Sequence, residues 1–346
     1  MATDLPYPDL REPIIRSLHL LRPSIERESI LPGLADAARE RWPYAPDHFV
    51  CSHGGIDALA MALDTIVKEG DAVAIESPAP GKVIDLLEAK GLVPLPVAVR
   101  EGGPDLEDLR RAMAQNPVAF VYQPVVSFPS GHSITPPWIR AASAIIPRAV
   151  TVIELSQTVY FGEEDLSLGS VMPDQVVHIR TYSFFTGHDL RVALMSCSEA
   201  FHERVRYLLN YSIHTVSRIL QGALACVLSD ADTQRQIGGL VDLVVRRRDS
   251  FGAALAGHGI RLDSSRGPAV WLAVSDEVVA ASRLRRNGIL VQQGRFSFPR
   301  YSGEQRIILF ASAITDPRNI AERVSADAFP SCESDSASEV GRMRAG

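Results

Sequence analysis

The sequence predicts an α/β protein in which a mostly parallel sheet is sandwiched by helices and followed by a smaller C-terminal α+β domain. From Phe49 onward, apolar segments of four to seven residues alternate with helical patterns of about ten residues. Short strands that are apolar throughout are typical of a parallel sheet buried on both faces. After about residue 230 the regular alternation ends, which indicates a second domain.

The first 45 residues are interrupted by prolines, and the segment LPGLADAARERW carries apolar residues at helical spacing. We interpret residues 1–45 as an N-terminal arm. The arm shows no winged-helix pattern, which disfavours a DNA-binding regulator.

The large domain is predicted over residues 46–215, where helices and strands follow one another in turn. The predicted helices are GIDALAMALDTIV, GKVIDLLEAKG and DLEDLRRAMAQ. The predicted strands are DAVAIES, LVPLPVAV, VAFVYQP, AVTVIEL and VVHIRTYS. Because each strand is followed by a helix or a long connection, neighbouring strands are expected to run parallel.

The small domain is predicted over residues 216–325, and a helical segment from about Ser198 to Asp230 is expected to bridge the two domains. Beyond it lie a long helical pattern, IGGLVDLVVRRRDSFGAALAGHG, and strand patterns such as PAVWLAV and QRIILFAS. Residues 326–346 are polar and low in aromatic residues, so we expect a disordered tail there.

Composition excludes several classes of function. The 346 residues carry a formal net charge of −6, which argues against a nucleic-acid partner. We interpret the basic run RRRDS, which begins at Arg246, as a solvated helix face rather than a phosphate-binding patch. No apolar run approaches the roughly 20 residues needed to span a bilayer, and no signal sequence is visible, so we expect a cytoplasmic protein without a membrane partner.

Lysine is nearly absent from this chain. Only Lys68, Lys82 and Lys90 occur, whereas the other basic residues among the 35 are arginines. Every amine that could form a Schiff base therefore lies between positions 68 and 90.

Five short motifs occur in order along the large domain: SHGGIDALAMAL, ESPAPG, QPVVSFPSG, VIELSQTVYF and RTYSFFTGHDLR. Their order and spacing resemble those of the fold type I pyridoxal-phosphate enzymes, in particular the class I/II aminotransferases and the aminotransferase-like half of MocR-type regulators. The likeness spans roughly residues 30 to 325. It implies a seven-stranded large-domain sheet, pyridoxal phosphate as cofactor, a small-molecule ligand, and a homodimer whose sites form between subunits.

The resemblance also implies a phosphate-binding site. A helix that starts with glycines presents unpaired N–H groups and the positive end of its dipole to an anion. A plain tight turn before a helix remains the alternative interpretation of SHGGIDA. The positions that the resemblance assigns to the cofactor phosphate are Gly54, Gly55, Ile56, Thr181, Ser183 and Arg191.

Positions that would contact the cofactor ring depart from the family pattern. Pro80 stands where an aromatic residue would stack on the pyridine, and Ser127 replaces an amide that would bind the phenolic oxygen. The aspartate that would pair with the pyridine nitrogen corresponds to Glu154 or to Leu155, depending on the alignment. Ser127 and Glu154 are thus the ring-contacting candidates.

The Schiff-base lysine is replaced as well. Counting back from Leu190 and Arg191 places it at Phe184, or at Ser183 under the family's other common spacing. Two residues are candidates for a substitute catalytic role: His188 as an acid or base, and Lys82 as a displaced amine. A surface histidine and a solvated lysine are the competing interpretations.

Three functional hypotheses follow, and ordinary transamination is disfavoured in all of them. The first is a divergent enzyme that acts on an amino-acid-derived or phosphorylated small molecule without a lysine aldimine. The second is a transaminase-like or dehydratase-like enzyme that binds pyridoxal phosphate or its amine form noncovalently. The third is a noncatalytic ligand-binding protein or partner subunit on the same scaffold. The sequence leaves all three open.

Overall fold

The computed structural model describes residues 4–20, 29–211, 215–263, 266–300 and 302–329. No helix in these ranges is long and apolar enough to cross a membrane. The described helices are α1 (Arg11–Leu20), α2 (Pro32–Arg39), α3 (Gly55–Asp64), α4 (Gly81–Ala89), α5 (Leu106–Met113), α6 (Pro136–Ile145), α7 (Ser183–Thr186), α8 (Glu199–Tyr211), α9 (Arg218–Ser229), α10 (Ala231–Ala256), α11 (Glu277–Arg286) and α12 (Pro317–Ala328).

The strands form two separate sheets. They are β1 (His48–Ser52), β2 (Ala72–Ser77), β3 (Val93–Arg100), β4 (Gly103–Pro104), β5 (Ala119–Tyr122), β6 (Thr151–Ser156), β7 (Val176–Thr181), β8 (Ala193–Cys197), β9 (Ala269–Ala273), β10 (Gln292–Gln293) and β11 (Arg306–Phe310).

The large sheet has the strand order β1-β8-β7-β6-β5-β2-β3-β4. Strands β3, β2, β5, β6 and β7 run parallel to one another, whereas β4 is antiparallel to β3 and β8 is antiparallel to both β7 and β1. All residues of β5 and β7 are buried, because helices cover both faces of the sheet. The predicted α/β fold with a mostly parallel sheet is therefore confirmed.

Local signals in the sequence explain where several helices begin. Helix α5 starts after Asp105, whose side chain accepts hydrogen bonds from the N–H groups of Glu107 and Asp108. Helix α6 starts after Thr135, which accepts from the N–H of Trp138, and has proline at its first position. These capped starts fix where each connection leaves the sheet.

The small sheet is antiparallel, in the order β10-β11-β9, and packs with α10, α11 and α12 around a core of its own. This arrangement agrees with the α+β organisation predicted for the C-terminal part. Strand β10 is only two residues long.

The segment predicted to be helical from about 198 to 230 is not one helix. It consists of α8, which ends at Tyr211, and α9, which begins at Arg218 after the cap of Ser217. At the other end of the domain, α12 continues to Ala328, so the predicted tail of residues 326–346 begins inside a helix. Residues 330–346 lie outside the described residues.

The basic run on α10 is less solvated than predicted. Arg247 is 12% exposed at its side chain and binds the Asp4 carboxylate at 2.7 Å, and Arg248 is 10% exposed at its side chain. For Arg247 the reason is tertiary, because its guanidinium donates to the Ser312 carbonyl and to Asp4 of the N-terminal arm. Only Arg246 of the three arginines is exposed.

Candidate functional site

An open cavity of about 720 Å³ lies at the carboxyl edge of the large sheet, where the small domain and the N-terminal arm meet it. In open α/β sheets this edge is the usual place for a ligand. Most of the lining residues lie in loops or near the ends of helices and strands. The residues that line it are Tyr7, Ile56, Pro80, Gly81, Lys82, Asp85, Phe128, Gln157, Thr158, Thr181, Ser183, Phe184, His188, Pro268, Gln292, Phe296 and Phe310.

The start of α3 lies beside the cavity and has backbone donors without a partner in the described residues. Gly54 has φ 108° and ψ 171°, a conformation that side chains disfavour, and no side chain caps the helix. Within the described ranges, the N–H groups of Gly55 and Ile56 have no acceptor. These two donors and the helix dipole face a position where a negative group is stabilised.

Thr181 and Arg191 flank this helix start closely. A Cβ placed on Gly55 would lie 2.5 Å from Cγ2 of Thr181, so only glycine fits there. A Cβ on Gly54 would lie 3.6 Å from Nε of Arg191. Arg191 is exposed and, in the part of the chain that the structure describes, pairs with no acid. Gly54, Gly55, Thr181 and Arg191 therefore lie close together, and their role in binding a phosphate stays a prediction.

The opposite wall of the cavity is aromatic. Phe128, from the loop after β5, stacks on Phe310 of the small sheet with ring centroids 5.7 Å apart and an interplanar angle of 14°. Phe296 is 59% exposed and Tyr7 is 40% exposed at the rim. A flat apolar ring would find stacking partners on this wall.

Phe184 lines the cavity at the position that the resemblance assigns to the lysine. Its ring also packs edge-on against Phe161 at 5.4 Å and Phe185 at 5.1 Å. It therefore belongs to an aromatic cluster that supports the floor of the cavity. Ser183, the alternative position, starts the short helix α7 and is half-buried.

Both candidate catalytic residues lie at the cavity. Lys82 stands in the first turn of α4, and His188 follows α7. Both side chains are exposed, so each is solvated at the mouth rather than buried in the floor. Among the described lining residues, Lys82 is the one amine.

The structure places Ser127 elsewhere, next to a buried acid. Ser127 Oγ donates to Glu76 Oε2 at 3.0 Å, and Gln123 Nε2 donates to Glu76 Oε1 at 2.5 Å. Burial raises the pKa of Glu76 to about 8, against the lowering effect of these hydrogen bonds. The Ser127 hydroxyl is used inside the protein and does not line the cavity, so its predicted role as a ring contact lacks support.

Glu154 also points away from the cavity. Its carboxylate accepts hydrogen bonds from Tyr122 Oη at 2.5 Å, Ser167 Oγ at 2.5 Å and the Leu168 N–H at 2.8 Å. His178 Nδ1 lies 2.6 Å from the same carboxylate, and both side chains are fully buried. The predicted ring-nitrogen role of Glu154 is not what this geometry offers, because all of its partners lie within the core.

Several lining residues were not identified from the sequence. Phe296, Phe310 and Gln292 belong to the small domain, and only the packing of the domains brings them to the sheet edge. Thr158 follows β6, and its Oγ1 donates to the carbonyls of Val125 and Val126 at 3.0 and 2.8 Å. A position directly after a buried parallel strand was the one sequence signal available for Thr158.

Comparison with known proteins found two curated relatives that match part of the chain. No protein-family model matches the chain. The chain is 29% identical over 266 residues to the Vitamin B6 salvage pathway transcriptional repressor PtsJ of Salmonella typhimurium, which covers 74% of this chain and 60% of PtsJ. It is 31% identical over 150 residues to the uncharacterized HTH-type transcriptional regulator YdcR of Escherichia coli, covering 42% of this chain and 30% of YdcR. The chain thus spans less than two thirds of both curated relatives.

Solved structures are similar over nearly the whole chain. Aspartate aminotransferase from Thermus thermophilus with maleate superposes with a TM-score of 0.82 at 20% identity, covering 94% of this chain and 89% of that one. The α-aminoadipate aminotransferase LysN from Thermus thermophilus, complexed with N-(5'-phosphopyridoxyl)-L-leucine, gives a TM-score of 0.79 at 21% identity, covering 93% and 89%. At these identities the likeness establishes architecture alone. The chain has the fold type I architecture of the aminotransferases.

Proposed function

We propose that this protein is a ligand-binding protein on the aminotransferase scaffold, which holds a phosphorylated pyridine of the vitamin B6 class without a covalent bond. One observation carries the proposal. The cavity joins an open anion-binding helix start to an aromatic wall, whereas a phenyl ring stands where the resemblance places the lysine.

The residues present fit the phosphate and the flat body of pyridoxal phosphate. Gly55 and Ile56 would donate N–H groups to phosphate oxygens, and Arg191 would add a charged fork from the side. Phe128 and Phe310 offer rings for the apolar face. When bound to an enzyme lysine, the cofactor serves as an electron sink, which is the chemistry that this cavity does not support.

The residues that would engage the reactive part of the cofactor do not fit. Phe184 and Ser183 carry no amine, Leu155 is buried among apolar residues, and the Glu154 carboxylate faces the core. We therefore derive no chemical step through pyridoxal phosphate. Binding and release are the events that this geometry supports.

The names of the two curated relatives support a role for this protein in regulation. PtsJ is named as a transcriptional repressor of vitamin B6 salvage, which agrees with a pyridoxal-type ligand, and YdcR is named as an HTH-type regulator. These names run against the expectation that no nucleic acid is a partner, and that expectation is not carried forward. Our proposal extends only to the ligand.

The test is a titration of the purified protein with pyridoxal phosphate, pyridoxamine phosphate and pyridoxal, followed by calorimetry and absorbance. We expect both phosphorylated forms to bind at least about tenfold tighter than pyridoxal, since a charge-assisted contact contributes roughly 1.5–3 kcal/mol. We expect borohydride to fix no ligand to the protein, because no imine forms.

Matched variants locate the binding site. Arg191→Ala should weaken the phosphorylated ligands about tenfold and leave pyridoxal unchanged, whereas Arg283→Ala removes an exposed arginine of α11 and should change nothing. No binding of either phosphorylated form at about 1 mM, weaker than roughly −4 kcal/mol, would sink the proposal.

A divergent enzyme is the second candidate, because Lys82 and His188 both line the cavity. In that case an absorbance band near that of an imine would form with pyridoxal phosphate, and borohydride would fix the ligand to Lys82. Lys82→Ala would abolish both signals, and Lys68→Ala, which removes a lysine away from the cavity, serves as the control.

We also propose that the protein is a homodimer. Phe296 and Phe310 are 59% and 41% exposed at the cavity rim, and exposed aromatic residues of this kind are typical of a covered surface. Light scattering on the purified protein measures its oligomeric state directly. A monomer at about 10 µM would contradict the proposed homodimer.

A further inference from the structure

A second cluster of chemically active side chains lies at the opposite, amino edge of the large sheet. It consists of His48, at the first position of β1, and of Glu199 and His202, both in the first turn of α8. One ligand atom from each of the three lies within 4.8 Å of the others. The cluster shares no residue with the cavity described above.

Two of the three side chains already share a proton. His48 Nε2 lies 2.5 Å from Glu199 Oε2, and their side chains are 33% and 66% exposed. The rings of His48 and His202 stack with centroids 4.3 Å apart and an interplanar angle of 3°. Two imidazoles packed this closely repel each other when both are protonated.

His202 supplies the decisive observation. It is 9% exposed, and its Nδ1 is buried and has no hydrogen-bond partner among the described residues. Its Nε2 lies 3.2 Å from Ser29 Oγ, whose single proton is donated to the Phe49 carbonyl at 3.3 Å. While Ser29 Oγ donates to the Phe49 carbonyl it can accept a hydrogen bond from Nε2–H, and in that tautomer Nδ1 carries a lone pair.

A neutral histidine whose second nitrogen donates to a fixed oxygen is the usual arrangement of a metal ligand. A buried nitrogen lone pair without a partner is costly in an ordinary packed core. A cation bound to Nδ1 would remove that cost.

We propose that His48, Glu199 and His202 form a binding site for a divalent transition-metal ion, with Zn²⁺ as the best match. Two imidazole nitrogens and one carboxylate oxygen are a ligand set that Zn²⁺ takes at about 2.0–2.2 Å, with a fourth position left for water. The ion would replace the proton between His48 and Glu199. Ligand atoms must approach to roughly 3.4 Å for tetrahedral coordination, and the two partly exposed side chains can make that movement.

The site would join α8 to strand β1. Because the ion binds the folded chain and not the unfolded one, it is expected to stabilise the protein as well as to bind. This gives the experiment two independent readouts.

The experiment uses untagged full-length protein, treated with a chelator and dialysed, and titrated with ZnCl₂ by calorimetry. We expect one ion per chain and a rise in the melting temperature with added Zn²⁺. Co²⁺ should give the intense visible absorption of a four-coordinate site, which an ion bound only to surface carboxylates would not give.

Matched variants identify the side chains that bind the metal ion. Glu199→Gln and His48→Gln remove partly exposed ligands and should each weaken binding at least about tenfold, and Ser29→Ala should weaken it less by freeing the His202 ring. Glu203→Gln, one turn along the same helix, and His258→Gln, an exposed histidine, should leave the affinity within about twofold. His202→Gln removes the buried ligand. Its melting temperature without metal is measured as a check that this variant still folds.

Absence of binding to the unaltered protein at about 100 µM Zn²⁺ would overturn the proposal, and so would binding that persists in both Glu199→Gln and His48→Gln. Pyridoxal phosphate binding should be the same in these variants as in the unaltered protein, because the two sites lie at opposite edges of the sheet. Failure of one proposal is thus distinguishable from failure of the other.

Discussion

The Glu154 carboxylate in the core and the Arg191 guanidinium at the cavity edge differ in the number of partners that they have. In the core, the Glu154 carboxylate accepts three hydrogen bonds within 2.8 Å and lies 2.6 Å from His178. At the edge, the N–H groups of Gly55 and Ile56 and the Arg191 guanidinium face the open side without an acid partner in the described ranges.

The difference separates structural polar groups from available ones. A buried carboxylate with several donors stabilises the fold and has no capacity left for a ligand. A helix start that is open to solvent adds little to stability and keeps its donors for an anion. Four substitutions or conditions test this contrast, from the largest expected effect to the smallest.

Removal of the Glu154 carboxylate should have the largest effect. Glu154→Ala leaves the buried donors of Tyr122, Ser167 and His178 without their acceptor, so we expect the free energy of unfolding to fall by roughly 3–5 kcal/mol. Urea unfolding followed by tryptophan fluorescence measures the change. Glu322→Ala, at an exposed position of α12, is the control, and an equal loss in both variants would contradict the assignment.

Glu76 should make stability depend on pH. Its pKa in the folded protein is about 8, above the ordinary value of 4.5, so the folded state binds this proton more tightly than the unfolded state. The resulting stabilisation is complete below about pH 4.5 and is lost as the pH rises to about 8. We expect the unaltered protein to lose roughly 4 kcal/mol relative to Glu76→Gln between pH 5 and pH 8.5. Parallel pH profiles for the two proteins would rule this out.

Gly55→Ala should cost less, about 1–3 kcal/mol, because the new methyl group would lie 2.5 Å from Cγ2 of Thr181. Thr181→Ser removes that methyl group and should recover most of the loss in the double variant. Gly238→Ala on α10, where nothing lies within 4 Å, should be neutral or stabilising. A loss in Gly55→Ala that Thr181→Ser does not recover would indicate a different cause.

Arg191→Ala should leave stability almost unchanged, within about 0.5 kcal/mol, since the side chain is exposed and unpaired within the described residues. Its effect should be confined to binding of phosphorylated ligands. Thermal unfolding without ligand, and calorimetry with it, separate the two. A large drop in melting temperature would show that Arg191 is a structural residue like those of the core.

Much of the fold could be predicted from the sequence. Apolar strands alternating with helices specify a parallel sheet, because each strand must be buried on both faces and each helix must cover it. The helical segment from about 198 to 230 was the main exception, since apolar composition alone did not reveal the break between α8 and α9. The partial burial of Arg247 was also missed, because it depends on the arm that packs against α10.

Some features of the candidate site could likewise be predicted from the local sequence, whereas others depend on tertiary contacts. Gly54 and Gly55 predict an open helix start from the sequence itself, since their conformational freedom and their place before an apolar helix are local properties. Ser127 and Glu154 were predicted to contact a ligand, yet their partners Glu76 and His178 hold them within the core. Adjacent residues on a strand face opposite sides, so a match in sequence does not say which side is the site.

The sequence by itself determined the class of fold, the open helix start and the near absence of lysine, because periodicity, glycine and composition act locally along the chain. Only the tertiary structure decided which aromatic rings face the cavity and which carboxylates are hydrogen-bonded within the core. It also brought together His48 and Glu199, which are 151 residues apart in the chain. Such contacts depend on how sheet edges and domains pack, and no local pattern encodes that packing.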